Sequence, residues 1–178
     1  MNRGMDHVLP PEEDVDVPGF CRALGVPGRP ARRGPGAGGG ARRARSGGYR
    51  EHGPGTVRRL DEAYPDLTAI VAHLGAPDYG AFLRMAADYE RVALDTTMVF
   101  TGFLDKLTPF PAGSLPLALE LGMAGKILLG SDFPNIPYPY ARQLAGLAGL
   151  ALGDDWLRRV CWDNPVALFG LPEPVGGG

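Results

Sequence analysis

The sequence predicts an α/β fold with parallel strands. Three apolar runs each end in polar residues, and segments with helical spacing separate them. The first run to consider is the last in the chain, residues 126–137 (KILLGSDFPNIP). Ile127, Leu128 and Leu129 have the continuous apolar character of a strand buried on both faces. Gly130 and Ser131 are small, and Pro134 forbids further pairing. Asp132 is therefore expected at the carboxyl end of a strand. A second strand is expected over residues 67–75 (LTAIVAHLG), carrying His73 near its end. A third is expected over residues 91–97 (RVALDTT), tipped by Asp95, Thr96 and Thr97. In parallel α/β folds the carboxyl ends of the strands gather at one mouth, which supplies the chemistry.

The intervening segments read as helices. Residues 79–89 place Phe82, Leu83, Ala86 and Ala87 on one face. A helix near residues 114–122 would open at Ser114 and close at a glycine. After the Asp132 strand come an apolar stretch at 141–150, a helix at 154–162 with Asp154 as N-cap, and a last one at 164–168. The order βαβαβα follows.

The motifs YPDLTAIVAHLG, LDTT and LLGSDFPNIPYPY, with WDNPVALFGL closing the chain, resemble the carboxyl-terminal part of amidohydrolase-related proteins. The resemblance is to the branch that includes aminocarboxymuconate semialdehyde decarboxylase, and it covers residues 52–171. It implies a partial TIM-type (β/α)8 barrel, of which these segments would be strands six to eight with their helices. It also implies a divalent metal, usually zinc, held by a His-x-His pair on the first strand, a His on the fifth and an Asp on the eighth. By this resemblance Asp132 is the metal-binding and base-like carboxylate, and His73 the sixth-strand histidine that polarises or protonates the substrate. The chain departs from the pattern in having no His-x-His pair, since its histidines are His7, His52 and His73. A complete barrel takes about 250 residues, against 178 here. The chain is accordingly expected to be a fragment that binds zinc weakly or not at all and is impaired in turnover.

Residues 21–50 are Arg, Gly, Ala and Pro apart from Cys21, Leu24, Val26, Ser46 and Tyr49. Such a composition does not bury enough apolar surface to offset chain entropy, so residues 1–50 are expected to be poorly ordered or mistranslated. These are the residues GC-rich codons encode in almost any frame, and comparing the three frames of the gene would decide that point. Three units follow: residues 1–50, a barrel part at 51–171 and a flexible tail at 172–178.

A net charge of −2 and a charged fraction of 21% fit a soluble globular protein. No apolar run is long enough to span a membrane and no secretion signal is evident, so a cytoplasmic location is expected. Cys21 and Cys161 lack metal-ligand spacing and read as free thiols.

The function expected is a metal-dependent hydrolase or decarboxylase acting on a small molecule. Two other readings stand beside it. A non-catalytic barrel remnant shares the fold evidence. An RNA-binding protein would use the arm at residues 22–50, where eight arginines fall with no acid, but only Tyr49 interleaves them, and no nucleic-acid partner is expected. Asp95 reads as a residue that closes its strand and bonds Thr97, in preference to one that contacts substrate. Tyr138 and Tyr140 could meet a substrate or pack the loop after Asp132. Open sheet edges would favour self-association.

Overall fold

The computed structural model describes residues 53–172. The arginine-rich arm, His7, His52, Cys21 and residues 173–178 lie outside them. Helix α1 (Pro54–Ala63) leads to strand β1 (Ala69–Val71), helix α2 (Tyr79–Asp88) and strand β2 (Val92–Asp95). Helix α3 (Leu115–Met123), strand β3 (Ile127–Leu128) and helices α4 (Tyr140–Ala148), α5 (Asp154–Arg158) and α6 (Asn164–Phe169) complete the order, with a wide turn over Arg159–Asp163 joining the last two. The strands form a three-stranded parallel sheet, β1-β2-β3.

Register assigns the two faces. Val71, Leu94 and Ile127 stand side by side, as do Ile70 with Ala93 and Asp95 with Leu128. Val92, Leu94 and Ile127 are buried in one cluster with Phe82, Leu83 and Ala86 of α2, Leu121 of α3 and Trp156 of α5. The opposite face carries Ile70, Ala93, Asp95 and Leu128. β2 and β3 are buried on both faces, as their apolar runs predict, but Ile70 of β1 is 39% exposed.

The two outer edges of the sheet differ. Lys126 and Leu128 turn their carbonyls toward β2, accepting from Leu94 and Thr96, so Ile127 O and Leu129 N face outward. Both are satisfied by the carboxyl-terminal helices: Asn164 Nδ2 donates to Ile127 O at 2.8 Å, and Leu129 N donates to Val160 O at 2.9 Å. On β1, Ala69 N bonds Arg91 O, so the alternation of a strand points the Ile70 N–H and C=O away from β2. No described residue pairs with them.

Several element limits differ from expectation for local reasons. β1 stops at Val71 because His73 (φ 58°, ψ 31°) and Leu74 (φ 50°, ψ 24°) enter the left-handed region, which ends extended pairing. α3 runs on to Met123 and is closed by a glycine, Gly125 at φ 84°, so that Gly122 lies inside it. A Cβ there would collide with the Trp156 indole, whose Nε1 donates to Ala118 O at 3.3 Å. Gly122 therefore serves close packing of α5 on α3. Asp154 is the first residue of α5, and the N-cap is Gly153 at φ 93°. Asp154 and Asp155 instead place their charge in the first turn, where the helix dipole favours it. No described helix is long and apolar enough to cross a membrane.

Candidate active site

β1 delivers His73 two residues past its end, and β2 delivers Asp95 as its last residue. Asp95 Oδ1 accepts from the backbone N–H of Thr97 at 2.9 Å and from that of His73 at 3.2 Å. The expectation that Asp95 closes its strand and bonds Thr97 is therefore met, with a second bond across to the neighbouring strand end. The His73 imidazole in turn reaches back, its Nδ1 lying 2.9 Å from the Thr97 carbonyl oxygen. Thr96 and Thr97 are buried and His73 is half-buried.

β3 closes the arrangement from the other side. Gly130 N donates to Thr96 Oγ1 at 3.2 Å, and a Cβ on Gly130 would overlap the Thr97 hydroxyl and the Asp95 carboxyl group. Only a glycine lets the end of β3 approach the end of β2 this closely. The carboxyl ends of all three strands thus meet around the Asp95 carboxyl group.

Asp132 lies four residues beyond β3, exposed, with φ 53°. The turn that holds it uses other atoms: Phe133 N donates to Ser131 Oγ at 3.3 Å and Asn135 N donates to the Asp132 carbonyl at 2.7 Å. Its carboxylate is not spent on capping that turn.

Behind the site, Gln143 of α4 is fully buried and holds the loop after β2. Its Nε2 donates to Thr96 O at 3.0 Å and Val99 O at 3.1 Å, while Oε1 accepts from Met98 N at 3.0 Å. The sequence reading did not single it out. The available signal was a glutamine beside Leu144 and one turn before Leu147, on the face that α4 buries. Tyr138, expected to contact substrate or pack the loop, does the second: it is buried beside Phe103, with ring centroids 5.9 Å apart, and the Arg142 guanidinium lies 6.0 Å from its ring centroid. Among the described residues its hydroxyl has no partner of good hydrogen-bond geometry. Burial pushes that phenol up, while the neighbouring Thr101 hydroxyl and Arg142 oppose the shift. Tyr140 packs its ring against Phe133 at 6.4 Å.

A family model described as amidohydrolase matches residues 50–171, more than half of the chain. The chain belongs to the amidohydrolase family. No curated protein and no solved structure matches it. An amidohydrolase domain implies a TIM-barrel-type fold, and the three-stranded parallel sheet with its helices is consistent with part of one. Amidohydrolases generally use a divalent metal. Among the described residues, however, no three His, Cys, Asp or Glu side chains come together to hold one. One oxygen of the Asp95 carboxyl group accepts from two backbone amides, and Asp132 stands in an exposed turn. The described donor set does not fit a metal ion by itself, since catalytic zinc takes three protein ligands.

Proposed function

We propose that residues 51–171 are the carboxyl-terminal part of an amidohydrolase-type barrel, with β1, β2 and β3 as its strands six, seven and eight, and that its mouth acts on a small-molecule substrate through His73 and Asp132. The observation that carries this reading is the anchoring of His73. An imidazole is held in left-handed backbone at a strand end by a carboxyl group from the next strand, and that carboxyl group is overlaid by the third strand. Strained backbone of this kind persists where surrounding contacts over-determine it, and it clusters at functional sites.

In this reading of hydrolysis, Asp132 takes a proton from water as the water oxygen bonds the carbonyl carbon. The His73 imidazole bonds the oxygen that gains charge and passes a proton to the nitrogen or oxygen that leaves as its bond to that carbon breaks. Hydrolysis of an amide or lactone and loss of a carboxyl group are the reactions that this pair serves. Any zinc would rest on Asp132 with at most His73 beside it, and would be held weakly. The edge of β1, which no described residue pairs, makes a second copy of the chain a natural partner, and a cytoplasmic location is proposed with it.

The test is turnover of a panel of amides, lactones and aryl carboxylic acids by the folded protein and by His73→Asn and Asp132→Asn. Each substitution should lower the rate about 10²-fold or more, the usual scale for a positioned acid or base. Equal rates in all three proteins would overturn the assignment. A folded wild type with no turnover would establish the non-catalytic reading instead.

A further inference from the structure

We infer that the Asp95–Thr97 turn fixes His73 as its Nδ1–H tautomer, leaving Nε2 as the nitrogen that carries the lone pair, with Asp95 as the positioning residue. The inference rests on the proposed role of His73 and specifies which ring atom meets the ligand. A backbone carbonyl only accepts hydrogen bonds, so the ring nitrogen 2.9 Å from Thr97 O must bring the hydrogen. In a neutral imidazole the other nitrogen is then an acceptor. Nε2 is therefore the atom at which the ring takes up a proton and from which, as Nε2–H, it bonds the substrate oxygen that gains charge.

Three features make this geometry rigid. One oxygen, Asp95 Oδ1, receives the amide of His73 and the amide of Thr97, so the residue that presents the ring and the residue that presents the carbonyl share a single anchor. The left-handed backbone at His73 and Leu74 gives the ring its approach to Thr97, and the His73–Asp95 bond opposes its relaxation. Behind the turn, Gln143 holds the Thr96 and Val99 carbonyls and the Met98 amide. Asp95 meets the imidazole only through the backbone. Its effect on His73 is thus one of orientation and tautomer, which differs from a carboxylate bonded directly to the ring.

Long-range proton–nitrogen correlation spectra of the 15N-labelled protein, taken with the imidazole neutral, read the tautomer without any substrate. The His73 signals are identified by their loss in His73→Asn. The wild type should show His73 protonated at Nδ1 and bare at Nε2. Asp95→Asn, which keeps an acceptor oxygen, should preserve that pattern, whereas Asp95→Ala should shift His73 toward the Nε2–H form. A wild-type His73 in the Nε2–H form would overturn the inference. So would a folded Asp95→Ala protein with an unchanged tautomer. If Asp95→Ala does not fold, Asp95→Ser takes its place with the same two outcomes. Unaltered turnover in His73→Asn would defeat the proposed function while leaving the tautomer result standing.

Discussion

Replacing Gln143 with leucine removes the clasp behind the candidate site with little change in side-chain volume. The glutamine is wholly buried, and both of its amide hydrogens and its oxygen are used: Thr96 O, Val99 O and Met98 N lose their partner together. At a net value of about 1 kcal/mol per hydrogen bond, three bonds amount to about 3 kcal/mol. The exposed backbone groups cannot reach water from the interior, which keeps the loss near that figure, and leucine's greater apolarity offsets only part of it. Against a typical domain stability of about 5–15 kcal/mol, Gln143→Leu should still be folded at 25 °C. Urea unfolding followed by circular dichroism should show a stability lower by about 3 kcal/mol with an unchanged m value. Amide exchange at Met98 should be markedly faster. A loss below about 1 kcal/mol, with Met98 exchange unchanged, would refute the claim that this side chain organises the loop.

Tyr79 gives the fold a pH dependence. It is buried, its hydroxyl donates to Thr108 O at 3.0 Å, and burial, with a further contribution from Asp105, raises its pKa from 10.0 to about 12. A folded-state value above the unfolded one means stability is fully present below pH 10.0 and is lost as pH rises toward about 12. The melting temperature of Tyr79→Phe should be slightly lower at neutral pH and should fall less steeply than that of the wild type above pH 10.0; parallel curves would contradict this. At the edge of the sheet, Ile70→Lys places a charge on strand β1, whose outer side no described residue pairs. Sedimentation velocity at rising concentration should show the wild type associating and this variant shifted toward monomer, and identical distributions would exclude β1 as the contact.

The strand-helix alternation was legible because apolar runs of β2 and β3 and the stripe on α2 follow directly from burial. Elements set by backbone conformation were less so. LTAIVAHLG does not show that the chain turns left-handed at His73 and Leu74, because only a minority of histidines and few leucines enter that region and the acceptor that holds the turn lies on another strand. The same holds for Gly122, read as a helix terminator when its neighbour in space is Trp156. At the site, sequence placed His73 and Asp95 at adjacent strand ends. It anticipated the Asp95–Thr97 bond but not the second bond that Asp95 accepts from the His73 amide, nor that Gly130 must be small to lie against Asp95 and Thr97. Gln143 stayed hidden because its partners are main-chain atoms more than forty residues away, which carry no side-chain signature.

The central proposal is that, among the described residues, the functional groups are one imidazole, His73, and one exposed carboxylate, Asp132, with Asp95 holding the backbone. Zinc stoichiometry of the intact chain after exhaustive dialysis tests it most directly, because two groups do not complete the three-ligand set of a catalytic zinc. The account predicts zinc well below one ion per chain, with Asp132→Asn removing what remains. Tight one-to-one zinc that survives dialysis, or zinc retained in Asp132→Asn, would contradict the assignment of these residues.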